Sequence, residues 1–451
     1  MTDTALEPPM RIGAPVWPEA SWIGSYDRSA PPVRHGKLPL RDGSGYRNAR
    51  FLVRDGQTAV GFVTAPVVDG AVDADELWRR ASALPERQSL RGPIGTALPF
   101  FSVIIPTRDR PGPLADAVRS VLETDYPDFE LIVVDNGSAT DATAEVVRAV
   151  DDERVRLVRE PRPGASRARN AGVAAARGDH LAFTDDDVVA DRWWLRQLAA
   201  GFSRGADIGV VCGMVPTGEL ATPAQAWFDE RVTWASNLTP VTYRLADPPS
   251  PRGLFPFEVG RYGTGANMAV RRETWETIGG SDVRLGPGTP TKGGEDLDVF
   301  LTALAAGYAV AVEPSSVVWH RHRAELSALR SQVTGYGRGL GAWLTKVALH
   351  PRLARHAAPV ALPGLRHLAG LIIPWRRNAA LREADESVGA RRPAPISPGL
   401  MTRLRRVEML GLLSGPASYL LSRWRNRCDP GITRRETTRP PTIGQGMGIV
   451  G

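Results

Sequence analysis

The sequence predicts an α/β protein organised around a mostly parallel sheet, and three observations carry that prediction. Short apolar runs of strand type recur between residues 102 and 184. Helical patterns of about 10–15 residues separate them, the alternation expected of βαβ units. Polar and acidic residues then gather where the apolar runs stop, and in such sheets ligands bind outside the carboxyl ends of the strands.

Residues 102–106 (SVIIP) give the first strand and residues 112–123 the helix after it. A second strand, 131–134, ends at Asp135-Asn136-Gly137-Ser138 and leads into a helix over 141–150. A third, 155–158, is followed by a loop and a helix over 167–176. The fourth, 180–184, runs into Asp185-Asp186-Asp187. Adjacent carboxylates repel one another. A divalent cation held by oxygen ligands would offset that repulsion and leave coordination positions for phosphate oxygens. A solvated acidic loop before a helix near Asp191 is the simpler reading of the triplet taken alone.

At 451 residues and 48.7 kDa the chain has room for one large domain and smaller appendages, with ordinary globular composition (42% hydrophobic, 23% charged). Two cysteines, Cys212 and Cys428, provide neither a metal spacing nor a disulfide framework. The first residues lack a signal-type apolar region, and no window approaches about 18 consecutive apolar residues. These features predict a cytoplasmic protein. The net charge of +7 is unevenly distributed. Residues 321–451 hold 22 Lys+Arg and 7 Asp+Glu (+15), leaving 34 and 42 (−8) for residues 1–320. A basic tail on an acidic body suits an anionic membrane surface or nucleic acid as partner, or serves solubility alone. Nucleic acid is disfavoured, because no recognised binding module accompanies the charge.

Three segments follow. Residues 1–98 form a small accessory domain, with strands over 47–53 and 59–63 around a turn at Asp55-Gly56, and a helix over 73–83 starting at Asp73 or Asp75. Residues 99–322 form the main α/β domain, which carries the strand-end acids. Residues 323–451 form a basic helical extension with apolar faces over 326–349 and 403–421 and a disordered end after about 429. Within the extension, 368–375 and 410–421, flanked by Trp375 and Trp424, suit a helix lying in a membrane interface, peripheral at the inner face of the plasma membrane.

Read together, SVIIPTRDR, LIVVDNGS, GASRARNAG, FTDDD and GGEDLD resemble, in order and approximate spacing, a family 2 glycosyltransferase of the GT-A fold, over roughly residues 100–322. The resemblance implies a Rossmann-like, mostly parallel sheet flanked by helices, a nucleotide-diphospho-sugar donor and a saccharide or lipid-linked acceptor. It also implies magnesium or manganese, since hard oxygen ligands suit both.

By resemblance the Asp-x-Asp motif falls on Asp185 and Asp187, with Asp186 directed to the donor's ribose or sugar. Asp187 is then the direct metal ligand, and Asp185 acts through water or on the ribose. His320, with His322 as alternate, completes the metal site. Asp135 accepts from the base ring, unless it serves only the turn that follows it. Thr107 and Asp109 touch the base or ribose. Arg167 and Asn170 stand at a helix N-terminus suited to anions, whereas Arg108 and Arg110 read equally as donor contacts or solvated charges, and Arg169 as a surface charge. Asn267, in GTGANM, is a donor-sugar contact or a structural turn residue. Asp296 matches the base that takes the acceptor's proton, Glu295 orients the acceptor or shares that task, and Asp298 is structural. Acids at a helix start are also stabilised by the helix dipole.

The expected reaction is a single displacement with inversion, in cell-envelope or lipid-linked glycan, polysaccharide or glycolipid synthesis. Two rivals stand beside it. A sugar nucleotidyltransferase would want a basic glycine-rich loop after the first strand, and PTRDRPGP lacks a lysine there. A non-catalytic nucleotide-sugar binding protein would tolerate loss of Asp296.

Overall fold

The computed structural model describes residues 5–30, 35–87, 98–258, 260–364, 366 and 398–427. The expected interfacial segment 368–375 and the expected disordered end after 429 lie outside these residues.

The N-terminal unit contains β1 (Ser21–Asp27), β2 (Lys37–Pro39), β3 (Asn48–Asp55), β4 (Thr58–Pro66), β5 (Ala71–Asp73) and α1 (Ala74–Ser82). β3 and β4 are the expected hairpin around Asp55-Gly56, and β1 adds parallel to β3. β1, β2 and β5 have no counterpart among the strands expected from the sequence. Asp73 caps α1, its side chain accepting from the Glu76 amide at 2.8 Å. Trp22, Phe51, Val60 and Leu77 share an apolar core within this unit.

The central region contains β6 (Phe101–Thr107), α2 (Pro111–Leu122), β7 (Phe129–Asp135), α3 (Ala142–Arg148), β8 (Val155–Arg159), α4 (Ala165–Ala175) and β9 (His180–Phe183). Next come β10 (Val188–Ala190), α5 (Trp194–Phe202), β11 (Ile208–Met214), α6 (Pro223–Arg231), β12 (Val241–Tyr243) and β13 (Met268–Arg271). It closes with α7 (Arg272–Thr277), α8 (Glu295–Ala305) and β14 (Ala309–His320). The sheet runs β10-β14-β11-β13-β9-β6-β7-β8, with β12 beside β14. β11 and β14 run with β6–β9, while β10, β12 and β13 oppose their neighbours. This is the expected mostly parallel α/β sheet.

Strand periodicity sorts the core into two layers. Val103, Ile105, Leu131 and Val133 face a layer with Leu114, Val118 and Leu198 of α2 and α5. Ile104, Ile132 and Val134 face the other, with Ala168, Val173, Phe300 and Leu304 of α4 and α8. Central strands buried on both faces leave only their carboxyl ends for polar chemistry, and Thr107, Asp135 and the acids after Phe183 stand there.

The N-terminal unit docks on the β10–β14 edge. Met10, Ile23, Leu52 and Ala59 pack with Met214, Leu220, Val317 and Trp319. Arg54 pairs with Asp191 at 2.7 Å. After β14 come α9 (Leu326–Leu349), α10 (Pro351–Ala357) and a last helix, Pro398–Arg425. α9 and the Pro398–Arg425 helix approach so closely that a Cβ on Gly337 would lie 2.1 Å from the Glu408 carbonyl oxygen. No described helix is long and apolar enough to cross a membrane.

Candidate active site

The acidic triplet sits in the loop between β9 and β10, and each carboxylate has different company. Asp186 is buried, accepting from Thr107 Oγ1 at 2.7 Å and Arg110 Nη1 at 2.5 Å. Burial outweighs Arg110 and raises its pKa to about 6. Asp187 is also buried, but it is ringed by basic groups: His320 Nε2 at 3.4 Å, Arg110 Nη1 at 3.0 Å and Arg323 Nη2 at 3.6 Å. Burial alone would raise its pKa; His320, Arg110 and Arg323 overcome it and hold the carboxyl well below the usual range. Asp185 is the most open of the three, with a side chain 34% exposed, and contacts Arg169 at 3.3 Å.

Arg169 joins the two acidic centres. Its Nη2 reaches Asp185 and its Nη1 reaches Glu295 Oε1 at 3.0 Å. Glu295 is buried at the start of α8, where burial and then the neighbouring Asp296 charge push its pKa upward against Arg169. Asp296 is half-buried, its two oxygens accepting from the Gly265 amide at 3.1 Å and the Leu297 amide at 2.8 Å. Gly294 begins the helix at φ 89°, a conformation favouring glycine, and a Cβ there would meet the Gly339 carbonyl oxygen at 2.7 Å. The glycines of GGED thus let α8 begin directly against α9. Asp298 turns away to Lys346 Nζ at 2.6 Å, the structural role expected of it.

The first two loops lock together. Asp109, in the left-handed region at φ 54°, accepts from the Ala139 amide at 2.7 Å while its own amide donates to Ser138 Oγ at 3.0 Å. Asp135 is buried and accepts from the Ser138 amide at 3.1 Å, the turn contact open to it from sequence. Thr107, Asp109, Asp135 and the triplet therefore meet along one rim.

Other expected site residues have structural employment. Asn267 is fully buried: Nδ2 donates to Met214 O (3.0 Å) and Ser316 O (2.9 Å), and Oδ1 accepts from Trp194 Nε1 (2.8 Å). Both its amide hydrogens are used, so it follows the turn reading. Asn170 clamps the Ser281 backbone in both directions, at 2.8 and 3.0 Å. Arg167 donates to Asn426 at the end of the Pro398–Arg425 helix.

Arg110, which the sequence left open, and Arg169, read from sequence as a surface charge, are the cations that organise the acids. A signal for Arg169 was present: it shares the inward face of α4 with Ser166, Gly172 and Val173, which stand at i−3, i+3 and i+4 from it, the spacing of a core-facing stripe. Arg110 had none beyond adjacency to the β6 end.

The donor set fits a divalent cation at Asp187 and His320. A carboxylate oxygen and an imidazole nitrogen 3.4 Å apart have the spacing of neighbouring ligands on a cation with bonds of about 2.1 Å. His320 Nδ1 meets His322 Nδ1 at 2.9 Å, so the ring is held by its other nitrogen. Among the described residues no group of three or more His, Cys, Asp or Glu is placed to hold a metal alone. Asp185, expected to act on the metal through water or on the ribose, contacts Arg169 at 3.3 Å.

Residues 102–277 match the family model described as glycosyl transferase family 2. An uncharacterized protein, y4gI, of Sinorhizobium fredii is 32% identical over 251 residues, covering 50% of this chain and 25% of that protein. A pre-mycofactocin glycosyltransferase of Mycobacterium tuberculosis is 26% identical over 287 residues, covering 63% and 54%. The chain thus spans about a quarter and about half of these two relatives. A solved mannosyltransferase from Pyrobaculum calidifontis, in complex with GDP-Man and Mn2+, aligns with TM-score 0.45 at 18% identity, covering 75% of this chain and 93% of that one.

Proposed function

We propose, from the match of residues 102–277 to the glycosyl transferase family 2 model, that this protein moves a sugar from a nucleoside-diphosphate donor to an acceptor hydroxyl, with inversion at the anomeric carbon. The observation that carries this reading is Arg169, buried between Asp185 and Glu295. It ties the acidic loop at the strand ends, where a nucleotide sugar binds, to the helix start that bears the candidate base.

In this reading Thr107, Asp109 and Asp135 line the nucleoside side of the rim. Asp187 and His320 would hold magnesium or manganese, whose charge would offset that developing on the departing diphosphate. Asp296 accepts the proton of the attacking hydroxyl. Its half-buried position and two backbone donors fix the carboxylate's orientation, which general-base catalysis requires. Glu295, tied to Arg169, orients the acceptor side. The site is tested by screening the purified protein against UDP-, GDP- and dTDP-sugars with Mn2+ or Mg2+. The expected result is metal-dependent thermal stabilisation by one donor class and glycosyl transfer from it. Pyrophosphate release with a nucleoside triphosphate and sugar phosphate would indicate the nucleotidyltransferase, and binding without transfer the non-catalytic reading.

The acceptor reading extends to a lipid-linked glycan at an anionic membrane surface. Leu410, Leu413, Leu420, Leu421 and Trp424 are exposed on the Pro398–Arg425 helix. At 100° per residue they fall in one stripe about 100° wide, with arginines at either end, the pattern of an interfacial helix. Co-sedimentation with phosphatidylglycerol vesicles tests this: Leu413→Ser/Trp424→Ser should release the protein, and unchanged binding would remove the support.

A further inference from the structure

A line of polar groups runs from the N-terminal unit into the candidate metal site. Arg50 Nη1, on β3, pairs with Asp229 Oδ2 of α6 at 2.7 Å. Asp229 Oδ1 faces His322 Nε2 at 3.9 Å. His322 Nδ1 meets His320 Nδ1 at 2.9 Å, and His320 Nε2 faces Asp187 Oδ1 at 3.4 Å. The path is walled from water by Phe228 and Trp234, whose rings stand edge-on to the histidines. His322 is fully buried, and its Nε2 has no hydrogen-bond partner.

This arrangement constrains where protons sit. Two Nδ1 atoms at hydrogen-bond distance require one to donate and the other to accept. A hydrogen on His322 Nε2 is attracted by the Asp229 carboxylate, whereas a lone pair there is repelled. Asp229 keeps its charge against burial because Arg50 is paired with it. His322 therefore carries its proton on Nε2 and accepts at Nδ1. His320 in turn donates from Nδ1, so Nε2 is the nitrogen that faces Asp187 and can exchange a proton for a cation there. A bare imidazole nitrogen is the state a cation ligates.

We propose that Arg50, Asp229 and His322 are positioning residues for the cation site, a relay through which the N-terminal unit fixes the tautomer and orientation of His320. This rests on the reading of His320 as a metal ligand. It gives the accessory unit, which carries no chemistry of its own in the sequence, a direct hold on the centre.

The test uses the full-length protein and two readouts that need no turnover: Mn2+ affinity by calorimetry, and histidine tautomers by long-range 1H–15N correlation spectra. His320→Gln should abolish Mn2+ binding. Asp229→Asn and Arg50→Met should weaken it roughly 10–100-fold, as loss of the groups that orient a metal ligand does. Asp229→Asn should also move the His320 proton from Nδ1 toward Nε2. Arg50→Lys, which keeps the charge, should recover most of the affinity and controls for folding. Unchanged Mn2+ binding in His320→Gln overturns the ligand assignment, and the relay with it. If His320→Gln abolishes binding but Asp229→Asn and Arg50→Met alter neither affinity nor tautomer, the relay alone is overturned.

Discussion

Replacing Lys346 by methionine isolates the ion cluster that seats α8, and with it the candidate base, against α9. Lys346 Nζ lies 2.7 Å from Asp282 Oδ2 and 2.6 Å from Asp298 Oδ2, with all three side chains at most 10% exposed. Methionine matches the stem but leaves the carboxylates without that cation. Asp282 keeps Arg284 at 2.8 Å. Asp298 keeps nothing comparable, since its Oδ1 has no hydrogen-bond partner even now. Removing one partner of a buried pair costs about 3–5 kcal/mol. For an m-value of about 3 kcal/mol/M, the urea midpoint should fall by roughly 1–2 M. The effect should depend on pH in a defined direction. Burial already raises the pKa of Asp298 against the pull of Lys346. A carboxyl with a raised folded-state value favours folding below its unfolded value near 4, and that contribution is lost as pH rises through the folded value. The deficit of Lys346→Met should therefore be larger at pH 8 than at pH 5. Adding Asp298→Asn should recover most of it. A loss under about 1 kcal/mol, or a double variant no more stable than the single one, would refute the reasoning.

Two further outcomes follow from the same electrostatics. His180 sits between the Phe101 and Phe202 rings and beside Arg271; burial, then Arg271, lowers its pKa to about 4. Its stabilising contribution should be complete above its unfolded value near 6.5 and fall away as pH drops toward 4, on the order of 3 kcal/mol before its partial exposure is discounted; urea titrations of His180→Gln should show a flatter acid limb, and an unchanged limb would argue against the assignment. Arg169→Lys keeps the charge but gives up the fork that reaches Asp185 and Glu295 together, so transfer should drop on the order of tenfold with secondary structure intact by circular dichroism; wild-type turnover would show that the bridge is dispensable.

How far the sequence reached depended on the range of the forces involved. Strand ends were legible because burial and turn chemistry are local: Thr107, Asp135 and Asp185 follow apolar runs, and Asp73 stands where a cap must be. Asp298 was recognisable as structural from its place two residues beyond Asp296. Partnerships across the fold were not legible. Arg110 stays open and Arg169 looks like a surface charge until β6, β9 and α8 come together, and the pairing of Arg50 with Asp229 spans 179 positions. Asn267 was ambiguous for a related reason, since its carbonyl partners on β11 and β14 and its Trp194 partner are distant in the chain. A GTGAN segment reads equally as ligand loop or buried turn. The N-terminal unit yielded its hairpin but not β1, β2 or β5, whose pairing is long-range or brief.

The central claim is that Asp296 takes the acceptor's proton while the acidic loop and Arg169 hold the donor. The direct measurement is transfer by Asp296→Asn beside its donor affinity, using the nucleotide sugar found by screening. Loss of a general base predicts a fall in kcat of about 10²–10⁴-fold, with donor Kd unchanged within about threefold, because Asp296 contacts the Gly265 and Leu297 amides rather than the triplet. Turnover within about tenfold of wild type, or loss of donor binding together with activity, would contradict the account.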